Sequence, residues 1–184
     1  MAALASPAQT IALEIVTPTG VVLSTDVEEV VAPSVHGEFG VLPGHLPMLA
    51  ALQVGLVHYR QGGQMVDVAV GRGFAEVIQD KTLILTDRFI EKDDVKVLAV
   101  RERLEEVDAL LEKWDGELDD PERLGLIEEE QWLAAQLELY GDPPVPKVLE
   151  HSPPLDYGAI MPDAVSSAAR SSQGEQADDE DAGT

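Results

Sequence analysis

The sequence predicts an all-β sandwich or barrel, then an antiparallel α-helical hairpin, then a disordered acidic tail. Three observations carry this. Residues 10–88 break into short β-branched runs separated by tight-turn residues. Residues 91–140 switch to apolar residues spaced three and four apart. Beyond residue 142 periodicity ends, and six of the twelve prolines gather there. Closely spaced short strands joined by turns are the pattern of a sandwich or barrel, and a change of period marks a change of architecture.

The elements follow in order. Residues 1–9 read as a flexible N-terminus. Ile11, Leu13 and Ile15 alternate with Ala12 and Glu14, the period of a half-buried strand. Further runs are Val21 to Leu23, Val27 to Ala32, Leu56 to Arg60, Met65 to Val70, Phe74 to Ile78 and Thr82 to Thr86. Between them stand Pro18-Thr19-Gly20, Gln61-Gly62-Gly63-Gln64, Gly71-Arg72-Gly73 and Gln79-Asp80-Lys81, all turn signals. A β-sandwich domain is therefore expected over 10–90. It is near the lower size limit for a self-supporting core.

The hairpin is expected over 91–141. Val97, Val100, Leu104, Val107, Leu111 and Trp114 fall on one helix face. Asp93 and Asp94 suit the start of that helix by capping and dipole. Asp119-Asp120-Pro121 makes a break, after which Asp120 caps a second helix with Pro121 at its first position. That helix should reach Tyr140, with Leu126, Leu133, Leu137 and Tyr140 on one side, and stop at Gly141 and Pro143-Pro144. Residues 142–184 bury too little apolar surface to offset chain entropy and are expected to be disordered.

Composition narrows the function. The chain has 184 residues, 12 Lys+Arg and 35 Asp+Glu, for a formal charge of −23. Net charge is −5 over 1–90, −11 over 91–140 and −7 over 141–184. Such a chain repels nucleic acid, whose binding rests on phosphate neutralisation, and it is disfavoured on anionic lipid. No cysteine and no asparagine occur, which removes disulfides, thiolate metal sites and N-glycosylation. The opening residues lack the charged and apolar regions of a secretory signal. The most apolar stretch, Val41 to Val57, is broken by Pro43, His45, Pro47 and Gln53, so it does not read as a membrane span. A soluble protein on the cytoplasmic side is expected.

Motifs for catalysis are missing. There is no Gly-x-Ser-x-Gly elbow and no phosphate loop. Gly71-Arg72-Gly73 begins like a dinucleotide fingerprint, but its sixth position is Glu76 and a strand follows, so it reads as a strand turn. His36, Glu38 and His45 fall in one loop and are residue types that hold a metal; the plainer reading is loop histidines bonded to backbone or solvent. His58 reads as a strand residue at the surface or at an interface, and His151 sits in the tail. The acidic pairs Glu28/Glu29, Asp93/Asp94 and Glu105/Glu106 and the run Glu128 to Glu130 read as solvated faces, since acid–base work needs a shielded carboxyl.

One loop stands out. Gly37-Glu38-Phe39-Gly40-Val41-Leu42-Pro43-Gly44-His45-Leu46-Pro47 sets two prolines and a phenylalanine among glycines. It is either a tight crossover between sheets or a rigid docking loop on a scaffold. Composition leaves both open.

Extended through Met48-Leu49, this loop resembles the signature of the epsilon subunit of bacterial rotary ATP synthase, called delta in mitochondria. The similarity continues in Leu13-Glu14-Ile15-Val16-Thr17-Pro18 before Val22 and Glu28, in Gly55, in Val68-Ala69-Val70-Gly71-Arg72-Gly73-Phe74-Ala75-Glu76-Val77, and in Leu83-Ile84-Leu85-Thr86-Asp87. It spans residues 10–140. The resemblance implies about ten strands in two sheets followed by two antiparallel helices. It implies a non-catalytic subunit at the foot of the central stalk, binding the gamma subunit along one side and the ring of c subunits below. Proton or sodium-ion flow through the ring would then be coupled to ATP synthesis. The positions matching the ring-facing loop are Val35, His36, Gly37, Glu38, Phe39, Gly40, Pro43, Gly44 and His45, with Glu38 placed for a polar contact. No catalytic residue, metal or cofactor is implied. The implied location is peripheral, on the cytoplasmic face of the bacterial plasma membrane.

The sequence departs from the family in three places. In many family members the helices brake ATP hydrolysis by opening toward the catalytic subunits and setting basic residues against an acidic segment there. Here the second helix offers Arg123 alone among Glu122, Glu128, Glu129, Glu130 and Glu138, while the first has Lys96, Arg101, Arg103 and Lys113. Like charges oppose such docking. Some relatives bind ATP through Ile/Leu-Asp-x-x-Arg-Ala. The matching stretch is Val95-Lys96-Val97-Leu98-Ala99-Val100, with Lys96 for Asp and Ala99 for Arg, so no ATP site of that type is expected. The acidic tail lies outside the family core. It reads as a solvating extension or, with only five lysines in the chain, as the mark of a salty cytoplasm. Two competing readings remain: a free-standing protein-binding module, and a small hydrolase using His36, Glu38 and His45.

Overall fold

The computed structural model describes residues 10–141 and 144. The expected flexible N-terminus over 1–9 and, apart from residue 144, the acidic tail from 142 lie outside the described residues. Ten strands form: β1 (Ile11–Thr17), β2 (Gly20–Val27), β3 (Glu29–Ser34), β4 (Gly37–Val41), β5 (Met48–Leu52), β6 (Gly55–Gln61), β7 (Gln64–Val70), β8 (Gly73–Ile78), β9 (Lys81–Thr86) and β10 (Phe89–Glu91). A 3-10 turn over Lys92–Asp94 leads to helices α1 (Val97–Glu112) and α2 (Pro121–Glu138).

The strands hydrogen-bond in the order β10-β7-β6-β3-β5-β8-β9-β1-β2, with β4 on β3. The two sheets that were expected are thus one continuous sheet. Its halves meet through the single pair Ser34↔Leu52, and there the sheet folds over on itself. Alternate residues point into the space between the layers. Ile11, Leu13, Ile15, Val30, Ala32, Val57, Tyr59, Val68, Val70, Ala75, Val77 and Ile84 are each at most 5% exposed. Strand period two therefore builds one hydrocarbon core from both halves. The turn at 71–73 is a close approach of backbones. A Cβ on Gly73 would lie 1.8 Å from the Leu85 carbonyl oxygen. Only glycine fits there.

Two strand expectations need correction. The run Val27 to Ala32 is not one strand, because β2 ends at Val27 and β3 begins at Glu29. The chain crosses between halves there, with Glu28 N–H donating to the Arg60 carbonyl at 2.8 Å. The segment 37–47 is not one loop, because Gly37–Val41 is strand β4. Its inward positions are Phe39, packed against the core, and Val41, fully buried; glycines at the other positions hid this alternation.

The hairpin forms close to expectation. Asp120 Oδ1 accepts from Glu122 N–H at 2.8 Å, with Pro121 opening α2. Asp93 and Asp94, however, do not cap α1. They lie in the 3-10 turn, and Lys96 stands at the N-cap without a side-chain bond. Val95 explains this: it is buried in the hairpin core and holds extended backbone between turn and helix. Tyr140 lies beyond α2 and is 45% exposed instead of facing the core. Its hydroxyl donates to the Lys92 carbonyl at 3.1 Å. Both helices pack over Leu56 of β6 and Ala69 of β7 through Val100, Leu104, Val107, Leu133, Ala135 and Leu137. Arg72 Nη1 reaches Glu128 of α2 at 3.1 Å, and the Arg88 guanidinium sits 5.9 Å from the Trp132 ring centre.

Candidate functional site

The sequence-predicted site residues divide between the two ends of β4. At one end, Val35 and His36 form an exposed two-residue tip closed by the pair Ser34↔Gly37. Ser34 Oγ donates to the Gly37 carbonyl at 2.6 Å and accepts from His36 N–H at 3.2 Å, which stiffens the tip. Glu38 follows, exposed and opposite Pro33. At the other end, Leu42-Pro43-Gly44-His45 is a tight turn closed by His45 N–H to the Leu42 carbonyl at 3.0 Å. Proline at its second position and Gly44 at φ +80 make the type II pattern. Gly44 N–H donates to Asp80 Oδ1 at 2.6 Å. The two ends are about 13 Å apart at 3.3 Å per residue. His36, Glu38 and His45 are not brought together, and the described residues contain no group of three metal-ligating side chains. His45 Nδ1 lies 2.7 Å from the Leu46 carbonyl, the backbone bond of the plainer reading.

Sequence reasoning missed a second surface. On the outer face of β5, β8 and β9, Leu49 is 71% exposed, Phe74 55% and Leu85 46%. Phe74 stands opposite both Ala51 and Leu85 in the ladder, while Leu49 stands opposite Glu76, so the apolar side chains share this face with one exposed carboxylate. Leu46, 79% exposed, lies just past the type II turn, before β5. The readable signal was Leu83-Ile84-Leu85, apolar on both faces, where a strand with one face in water alternates. Exposed apolar side chains gathered on one sheet face make it a candidate contact surface.

The acidic residues of α2 differ among themselves. Glu128 pairs with Arg72, and Glu129 takes a bidentate contact from Arg103 at 2.7 and 3.0 Å, which holds its carboxyl below the usual range. Glu130 is only 2% exposed, and its Oε2 has no partner. Burial first, and the Asp108 charge second, push its carboxyl up. The run 128–130 is therefore not the solvated face that was expected. Arg123, the lone arginine of α2, is buried and donates to the Leu118 carbonyl at 2.9 Å. His58 pairs with Asp67 across β6 and β7 at 2.7 Å. A cavity of about 360 Å³ lies at the hairpin junction, lined by residues that include Arg88, Ala99, Glu129 and Trp132.

Fold and surfaces together define a β-sandwich scaffold with two stiffened turns, an uncovered apolar face and a clasped helical hairpin. Residues 10–92 match the family model described as ATP synthase, Delta/Epsilon chain, beta-sandwich domain. The chain is 41% identical over 104 residues to ATP synthase epsilon chain 2 of Syntrophotalea carbinolica, covering 56% of this chain and 75% of that one. It is 38% identical over 112 residues to the ATP synthase epsilon chain of Desulforamulus reducens, covering 61% and 85%. A chain of the Euglena gracilis mitochondrial ATP synthase has the same fold, with a TM-score of 0.62 at 22% identity over 77% of this chain and 87% of that one. The chain belongs to the epsilon-chain family of F-type ATP synthases. It is a non-catalytic subunit of that enzyme. Among the described residues no helix is long and apolar enough to cross a membrane.

Proposed function

We propose that this chain couples rotation of the c ring to the gamma subunit on the cytoplasmic face of a bacterial plasma membrane, with its two surfaces serving two partners. The ring is contacted by Val35, His36, Gly37, Glu38 and Gly40 at one end of β4 and by Pro43, Gly44 and His45 at the other. Phe39 supports them from the core side. The gamma subunit covers Leu49, Phe74 and Leu85. The observation that carries this reading is that exposed apolar side chains stand on both sides of the entry to β5, Leu46 just past the stiffened turn and Leu49, Phe74 and Leu85 on the sheet face. A stiff module bound on two sides transmits torque because a close-packed core resists deformation. Glu38→Arg tests the ring contact: in reassembled membranes ATP-driven proton pumping should fall while ATP hydrolysis persists. Unchanged pumping would remove Glu38 from the interface.

The same reading treats the sandwich over 10–90 and the hairpin over 91–141 as two modules. The hairpin reaches the alpha and beta subunits through α1 rather than α2, since Arg123 is turned inward. Ala99 lines the junction cavity where the family's ATP motif has arginine, which supports the absence of that nucleotide site. Saturable ATP binding to the isolated chain at millimolar concentration would contradict it.

A further inference from the structure

The turn joining β8 to β9 carries an unexplained cost. Gln79 and Asp80 stand at φ +50 and +57, with Ile78↔Lys81 closing a two-residue connection. Positive φ at both positions is the type I′ geometry, normally filled by Asn-Gly or Asp-Gly. Asp tolerates the left-handed region better than most residues, but glycine would relax it entirely. Sparsely populated backbone of this kind persists when surrounding contacts over-determine it.

Asp80 has such contacts. Its carbonyl accepts from Ala12 N–H of β1 at 2.8 Å. Its carboxylate accepts from Gly44 N–H at 2.6 Å, a charge-assisted bond across 36 positions of sequence. The donor matters. Types I and II share their closing hydrogen bond and differ by a flip of the middle peptide, here Pro43–Gly44. The Gly44 N–H belongs to that peptide. A carboxylate fixed on it selects one orientation of the peptide and hence the surface that Pro43, Gly44 and His45 present.

We infer that Asp80 is a positioning residue for the docking turn: from the β8–β9 connection it pins the Pro43–Gly44 peptide in the type II orientation that the rotor partner recognises. This rests on the reading that Pro43 to His45 face the ring. Asp80 acts through Gly44 and makes no contact of its own with the partner. The strained φ at Asp80 is the cost of placing a carboxylate where glycine would be easier.

The test uses the full chain added to an ATP synthase rotor of gamma subunit and c ring stripped of it. Asp80→Gly relieves the backbone and removes the carboxylate, so Tm should hold or rise. Exchange of the Gly44 amide should speed up, and affinity for the rotor should fall roughly fivefold, on the scale of one exposed charge-assisted bond. Asp80→Asn keeps an acceptor oxygen and a residue that tolerates positive φ, so it should stay within about twofold of the native affinity. A merely structural turn residue predicts the opposite ranking, with glycine best. Native rotor affinity in Asp80→Gly overturns the inference if Glu38→Arg and His45→Ala still weaken binding. If Glu38→Arg and His45→Ala also bind normally, the ring-facing reading falls, and this inference with it. An unchanged Gly44 exchange rate in Asp80→Gly overturns the clamp whatever the affinities.

Discussion

The sandwich and the hairpin bury different chemistry. Inside the sandwich the buried polar groups are the hydroxyls of Ser34, Thr82 and Thr86, and Ile15, Val57 and Ile84 have no exposed surface. The hairpin buries Arg123, Glu130 and Gln136, while Leu104 and Leu133 of its seam keep 7% exposure. Burial of hydrocarbon at full packing density makes a cooperative, rigid body. Each region leaves one buried polar atom without a partner, Thr82 Oγ1 in the sandwich and Glu130 Oε2 in the hairpin, and a carboxylate costs more to bury than a hydroxyl, so the helix pair holds together by a smaller margin. The contrast makes the hairpin the region whose stability is more sensitive to pH.

The largest test of that contrast is Ile84→Ala. It should cost about 3–4 kcal/mol of global stability in chemical denaturation, the range for a large cavity in a core that cannot collapse. Leu133→Ala in the hairpin should cost about 2–3 kcal/mol, and the loss should be local. Proteolysis and amide exchange should open α1 and α2 while β1 to β9 stay protected. Loss of sandwich protection at the same rate would mean that the two regions fold as one.

Glu130 sharpens the comparison through pH. Its carboxyl is raised in the folded chain, so the folded state binds more protons than the unfolded state between the two pKa values. Hairpin stability should therefore fall as pH rises from the ordinary carboxylate range through the raised value, and level off above it. Glu130→Gln should remove this slope and stabilise the hairpin at neutral pH by about 1–2 kcal/mol. Amide exchange in α1 and α2 from mildly acid to neutral pH reads both effects, and a native-like slope in the variant would assign the titration elsewhere. The smallest effect belongs to Glu128→Ala. Its bonds to Arg72 and Arg88 are partly exposed, so its loss should cost at most about 1 kcal/mol and vanish in high salt.

Local pattern revealed most of the strands, because period two shows wherever one face is buried and the other is not. It failed at β4, where Gly37, Gly40 and the neighbouring prolines masked the inward positions of Phe39 and Val41. It failed at the start of α1 because the tertiary burial of Val95, not the local acids, decides where the helix begins. The site was half legible. The exposed Glu38 and the Pro43–Gly44 turn could be read from residue type. The partner of Gly44 could not, because Asp80 lies far along the chain and only the fold brings it within hydrogen-bond reach.

By itself the sequence determined that strands precede a helical pair, that Asp120 and Pro121 open the second helix, and that the chain carries a large negative charge. These are properties of neighbouring residues, set by backbone sterics and side-chain spacing. Only the tertiary structure decided that one sheet folds over at Ser34 and Leu52, that Glu130 is buried while Glu128 and Glu129 find arginines, and that the outer face of β5, β8 and β9 stays uncovered. The physical reason is that desolvation and pairing depend on what long-range folding brings alongside a residue, and identical carboxylates three in a row can meet three different environments.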